Sequence, residues 1–158
     1  MSVTIRPMAD ADAPAVVGMV QGLAGHVGQS VPKLKAEGLI ASRDLIDVVV
    51  AEEEGRIIGA CLGLMTYSTW RGARGLYIVD LFVAEDARGR NVGLDLLIRS
   101  AERARGKGAE FIKLEVDYLN EGAARFYERH GFVRKDSDRL FVLEPERLQG
   151  FITRKDRT

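Results

Sequence analysis

The chain has 158 residues, 46% of them apolar and 29% charged, the make-up of one ordinary globular domain with no room for a second. Lysine plus arginine and aspartate plus glutamate each number 23, so a net charge of zero removes the electrostatic case for nucleic acid or an anionic membrane as partner. The neutral stretch Ile57–Tyr67 is too short to span a bilayer, and no charged-then-apolar leader opens the chain, so a single cytoplasmic domain over residues 1–158 is expected.

In chain order, Val3–Arg6 alternates as a short strand that Pro7 ends. Asp10 or Asp12 can cap a helix running to about Leu23, with Pro14 tolerated in its first turn. Gly22–Gly28 reads as loop, and Val31–Ala41 as a weaker helix. Asp47–Glu53 and Arg56–Thr66 read as strands joined at a Glu54-Gly55 hairpin turn. Trp70–Gly75 is a basic, glycine-bearing loop, Leu76–Val83 a strand, and Val92–Arg105 a helix stopped near Gly106 and Gly108. Phe111–Asp117 alternates, with Ile112, Leu114 and Val116 on one face and Lys113, Glu115 and Asp117 on the other. A helix over Asn120–His130 follows, and Val133–Arg134 and Leu140–Leu143 read as short closing strands. Cys61, alone in the chain, cannot close an intrachain disulfide and reads as a small buried hydrophobe. Hairpins early and strand–helix–strand units late predict an α+β, or mixed α/β, sheet with helices on both sides.

Two junctions carry chemistry. The apolar run ending at Val83 gives way to Ala84-Glu85-Asp86-Ala87-Arg88-Gly89-Arg90-Asn91-Val92-Gly93, and then to a helical pattern. Backbone N–H groups at that helix start would be bare and flanked by Arg88 and Arg90, which suits an anion such as a pyrophosphate. An ordinary strand-to-helix turn with solvated arginines is the other reading. At the second junction Asn120 is a good N-cap, and Gly131 stands where a left-handed C-cap is wanted. Ala123, Phe126, Tyr127 and His130 then share one helix face. Asp80 is the one charge in a central apolar strand. It is either an amine-orienting group or base acting through water, or a structural carboxylate paired with an arginine or backbone N–H. His130, at a helix C-terminus, reads as structural.

Together the two segments resemble the GNAT superfamily of N-acetyltransferases. Arg88-Gly89-Arg90-Asn91-Val92-Gly93 is similar to its acetyl-CoA signature, and Asn120 through Phe126-Tyr127 to Gly131-Phe132 is similar to the helix that carries its tyrosine acid. Tyr67-Ser68-Thr69-Trp70, Leu76–Val83 and Arg139-Leu140-Phe141 resemble the diamine and thialysine acetyltransferase branch. The resemblance implies a mostly antiparallel mixed sheet of about seven strands, flanked by helices. Its fourth and fifth strands, here Leu76–Val83 and Phe111–Asp117, would splay apart to admit the pantetheine arm of acetyl-CoA.

It also implies the site. The backbone of Leu81, Phe82 and Val83 would pair with the pantetheine and face the thioester oxygen. Arg88, Gly89, Arg90, Asn91, Val92 and Gly93 would hold the pyrophosphate, and Asn120 would touch the cofactor arm. Tyr127 would protonate the departing thiolate. His26 would meet the amine from a loop that the family places over the substrate. From the residues themselves, Glu115 and Asp117 on the neighbouring strand can share the amine-orienting task with Asp80, a solvated face being the other reading of their alternation. No metal is expected, and a homodimer is.

The chain also departs from that branch. Asn91 replaces the middle glycine of the signature, a position where asparagine tolerates left-handed backbone. Polyamine members carry a glutamate where Val79 stands, and an aromatic–glutamate pair where this chain reads His26-Val27. Two missing carboxylates point away from spermidine and toward a smaller or less charged amine. The expected activity is acetyl transfer to a primary amine of a small molecule (an amino acid, a thialysine-like compound or a diamine). A peptide or protein acetyltransferase and a non-catalytic acyl-CoA-binding module are the alternatives. A Rossmann dinucleotide site is excluded, because no G-x-G-x-x-G follows the first strand.

Overall fold

Three successive valines, Val48, Val49 and Val50, followed by Ala51 make β2 (Asp47–Glu53) a strand buried on both faces. Around it the computed structural model, which describes residues 2–27 and 32–154, builds one five-stranded sheet. Its order is β1 (Thr4–Pro7), β2, β3 (Arg56–Ser68), β4 (Ala73–Val83) and β5 (Ala109–Leu114). The first four strands are antiparallel in sequence order, and β5 runs parallel to β4. The β2–β3 turn has positive φ at both Glu54 (51°) and Gly55 (77°), which matches the twist of the flanking strands.

The chain divides into two compact units, residues 1–115 and 116–158. In the first, α1 (Ala13–Val27) and α2 (Ala36–Ala41) cover one sheet face. Ala13, Val16, Val17 and Leu39 pack there on Val48, Val50, Ala60, Leu62 and Phe82. The opposite face carries α3 (Val92–Arg105), which buries Val92, Leu96, Leu97, Ser100 and Ala104. Close approach is possible because Gly59 has no side chain: a Cβ there would stand 2.9 Å from Leu96 Cδ1. Two charge clusters pin the layers. Arg103 forks onto Asp47 (2.8 and 2.9 Å), and Arg6 lies between Asp12 and Glu52 (2.7 and 2.6 Å).

The second unit holds α4 (Glu121–Arg129) and α5 (Pro145–Ile152). Pro145 stands at the start of α5, where its missing N–H costs nothing.

Several expectations are corrected. Gly22–Val27 is not loop, because α1 runs through it. A helix-interior glycine costs only about 1 kcal/mol, too little to end a helix whose face is docked on the core. Of the weak helix expected over 31–41, only α2 forms; Gly28 and Val31 lie outside the described residues. β4 begins at Ala73, inside the expected loop, because Ala73 and Gly75 pair with Ser68 and Thr66 of β3. β5 stops at Leu114 rather than Asp117, because its ladder with β4 ends at Ile78, next to a bulge at Val79. Neither Val133–Arg134 nor Leu140–Leu143 is a strand, so the sheet has five strands and not about seven. A strand exists only with a ladder partner, and a short apolar run does not supply one by itself. Leu140, Phe141 and Val142 are instead exposed.

Candidate active site

The parallel ladder between β4 and β5 is short, running from Arg74↔Ala109 to Ile78↔Leu114. β4 then continues for five more residues, Val79–Val83, with β3 on one side and no β5 partner on the other. The cause lies in β4 itself. Leu62 pairs with Asp80 and the next β3 residue, Gly63, with Ile78, so Val79 is an extra residue, a β-bulge. A bulge bends its strand and sharpens the local twist, which turns the end of β4 away from its parallel neighbour. Glu115 and the residues after it consequently leave the ladder. The free edge beside Leu81, Phe82 and Val83 is where the resemblance expects a pantetheine arm to pair.

The bulge also decides which side chains meet. Phe82 belongs to the core under α1 and α2, and Asp80, two residues before it, shares that face. Leu62 and Leu64 share a face of β3, and their partners are Asp80 and Tyr77. Tyr77 and Asp80 therefore lie on one face although three residues separate them, a spacing that regular alternation would split. Glu115, two residues past the Lys113 that pairs with Tyr77, comes to the same place: the Tyr77 phenol faces it. Burial pushes the Asp80 carboxyl above its ordinary value. Among the described residues Asp80 has no hydrogen-bond or ion-pair partner, so the structural reading of that carboxylate is not met. Burial, then the neighbouring Glu115 and Asp80, pushes the Tyr77 phenol up as well.

From Val83 a single 3-10 turn (Glu85–Ala87) leads to Arg88 in extended backbone, Gly89 at φ 80° and Asn91 at φ 62°. Gly89 occupies a region that a side chain disfavours, and Asn91 takes the left-handed conformation its side chain tolerates. As N-cap of α3, Asn91 makes no side-chain capping bond. The two arginines behave differently. Arg90 is held by Glu53, and Arg56 by Asp86, whereas the Arg88 Nε donates only a long bond (3.4 Å) to the Val83 carbonyl. Gly93 follows in the first turn of α3, and a Cβ there would just touch Val83.

In the second unit, the Asn120 side-chain Oδ1 accepts from the Ala123 N–H (3.1 Å) and caps α4. At the other end, the Phe132 N–H donates to the Tyr127 carbonyl (3.0 Å) and the Gly131 N–H to that of Glu128 (3.1 Å). With Gly131 at φ 93° and the Tyr127 and Phe132 rings 5.3 Å apart, this is a full Schellman motif with its apolar contact. Tyr127 is thus fixed at both backbone and ring, with Phe126 edge-on at 5.2 Å. His130 is the C-cap residue and packs edge-on to Phe126 (4.8 Å), the structural part expected of it.

His26 stands in the last turns of α1, not in a loop, and its side chain lies outside those described. Cys61 is fully buried, and burial pushes its thiol up to about 11, as suits an inert core residue. Sequence reasoning missed Tyr77 and the Val79 bulge, since nothing in an apolar run marks which residue a partner strand will skip. A cavity of about 270 Å³ at the C-terminal end of α3, lined by Asp47, Leu76, Ala104 and Lys107 among others, holds none of the expected site residues. Among the described residues no helix is long and apolar enough to cross a membrane. No group of three or more acidic, histidine or cysteine side chains among them could hold a metal.

Residues 25–132 match the model of the Acetyltransferase (GNAT) family. The chain is 31% identical over 144 residues to a thialysine N-epsilon-acetyltransferase of Sus scrofa, covering 82% of this chain and 84% of that protein. It is 27% identical over 142 residues to an L-methionine sulfoximine/L-methionine sulfone acetyltransferase of Pseudomonas aeruginosa, covering 84% and 81%. Among solved structures, an integron cassette protein of V. cholerae superposes with a TM-score of 0.78 at 20% identity, covering 98% of this chain and 99% of that one. A chain with this signature loop, this parted pair of strands and this family match over most of its length belongs to the GNAT acetyltransferase family.

Proposed function

We propose that the protein moves the acetyl group of acetyl-CoA onto the primary amine of a small molecule by direct attack on the thioester. One observation carries the reading: β4 loses its β5 partner after Ile78, just before Leu81–Val83 and the Arg88–Gly93 loop. The residues present fit acetyl-CoA. The free edge at Leu81–Val83 suits the pantetheine amides, and the positive-φ loop with its uncapped helix start suits the pyrophosphate. Arg88 adds the available charge there. Asn120 keeps its amide NH2 group for the cofactor arm, because only its oxygen is spent on capping.

In this scheme the amine nitrogen bonds to the thioester carbonyl carbon while a backbone N–H of the β4 edge steadies the oxyanion. Asp80 orients the incoming ammonium and takes its proton, directly or through water; burial makes it a stronger base than an ordinary carboxylate. Glu115 supplies a second negative charge to the amine. Tyr127, the acid that family membership implies, gives a proton to sulfur as the C–S bond breaks, and the second proton, shed by the nitrogen as the tetrahedral intermediate collapses, restores the phenol. His26 is kept as a substrate contact. Relatives that act on thialysine or methionine sulfoximine support a small acceptor of the amino-acid kind. We further propose a cytoplasmic location and a homodimer, the exposed apolar residues Leu140, Phe141 and Val142 supporting the latter.

The test is acetyl-CoA-dependent thiol release over a panel holding spermidine, lysine, thialysine, several amino acids and a short peptide. Turnover on an amino acid or thialysine above spermidine is the expected result. Preference for the peptide would move the assignment to protein acetylation. No turnover with tight acetyl-CoA binding would leave an acyl-CoA-binding module in its place.

A further inference from the structure

We propose that Tyr77 is a positioning residue of the amine site: its phenol holds the Glu115 carboxylate beside Asp80, so that the two acids meet the acceptor as one anionic pair. The inference rests on the acetyltransferase reading above and adds a residue to it. Its ground is the sheet register. Were β4 regular, Tyr77 and Asp80 would point to opposite faces; the extra residue Val79 brings them onto the face of Leu62 and Leu64. The same bulge ends the ladder at Leu114, which releases Glu115 from strand pairing next to the Lys113 position that Tyr77 pairs with. One irregularity thus assembles three polar groups from two strands at the point where the strands part.

The chemistry needs such a holder. Glu115 is exposed and lies beyond the end of its strand, so its side chain is free to take many rotamers, and ordering it on substrate binding would weaken the site. Tyr77 is half-buried and therefore better ordered, and its O–H is a donor that a carboxylate accepts. Burial and the two flanking acids push its ionisation up, so the phenol stays a neutral donor at any working pH. Lys113 is exposed on the same face of the sheet. An ammonium group that leaves water needs its charge compensated, and a pre-set acidic pair provides that with less rearrangement than two mobile acids.

Tyr77→Phe keeps the ring and removes the donor. The expected result is a fall of about tenfold in kcat/KM for the best amine, carried by KM, with KM for acetyl-CoA and the melting temperature unchanged. In Glu115→Gln, the ring resonance of Tyr77 followed by NMR through alkaline titration is expected to show ionisation at a lower pH than in the wild type. An unmoved amine KM in the first variant, or an unmoved Tyr77 titration in the second, would overturn the assignment. An inactive wild type on every amine would instead overturn the acetyltransferase reading, which the same assay reports separately.

Discussion

Replacing Gly75 with alanine tests how the short β4–β5 ladder is held together. The register sets Gly75 opposite Phe111. A methyl on Gly75 would lie 2.3 Å from Phe111 Cζ, 2.5 Å from Cε2 and 2.6 Å from Cε1. Carbon atoms in contact prefer about 3.5–4.0 Å, so the ring must withdraw by roughly an ångström or more. If the ring stays in place the strands must spread, an overpacking worth about 1–3 kcal/mol. If it swings out it abandons the Arg71 guanidinium, 4.9 Å from its centroid. That cation–π pair is worth about 0.5–1 kcal/mol, and the ring's packing on Gly75 is lost in addition. Both routes destabilise by roughly 1–3 kcal/mol, and each kcal/mol lowers Tm by about 2–4 °C in a chain of this size. The assay is thermal and denaturant unfolding of Gly75→Ala, Phe111→Leu and the double variant. The smaller side chain relieves the clash, so the cycle should return a coupling of about 1 kcal/mol or more. Strictly additive losses, or a Gly75→Ala protein as stable as the parent, would refute the packing argument.

Other consequences are as direct. Tyr127→Phe keeps the ring contacts to Phe126 and Phe132. It should lower kcat by about one to three orders of magnitude while acetyl-CoA affinity holds, and unchanged turnover removes Tyr127 from the mechanism. Arg88→Ala should raise KM for acetyl-CoA about tenfold. Arg90→Ala should do much less, because Glu53 already engages Arg90; equal effects would contradict this. Asp80 is raised by burial in the folded chain, so its contribution to stability is fullest below its unfolded pKa and is lost as pH rises through the folded one. Asp80→Asn should therefore raise Tm at neutral pH while impairing turnover, with the gain in Tm vanishing below about pH 4. Asp47 has the opposite sign: Arg103 holds it below its ordinary value, so its stabilisation is present above the unfolded pKa and fades as pH falls through the folded one. Asp47→Asn should cost about 1–2 kcal/mol at neutral pH, shrinking in acid, as unfolding curves across pH would show.

Much of the fold was legible in the chain where local rules act alone. The bounds of β2 and α3 agree with their sequence patterns, because a valine run between turn signals and a helical stripe between Asn91 and Gly106 are strong, short-range signals. The left-handed residues Asn91 and Gly131, the Asn120 cap and the burial of Cys61 followed from residue chemistry in the same way. The end of α1 and the tail after Phe132 were misread: Gly22 invites a break that core packing overrides, and apolar pairs such as Leu140-Phe141 suggest strands that find no ladder partner among the described residues.

By itself, then, the sequence determined the family, the left-handed turn before α3 and the capped Tyr127 helix, all encoded within a dozen or so consecutive residues. Only the tertiary structure decided that Val79 is skipped by β3, that β5 departs at Leu114, that Tyr77 and Asp80 share one face, and that Glu115 meets the Tyr77 phenol. It likewise set Arg90 against Glu53, across 37 residues of chain, and left Arg88 without an acidic partner among the described residues. Register and ion pairing belong to contacts between distant segments, and a bulge of one residue reverses every facing beyond it. No local propensity carries that information.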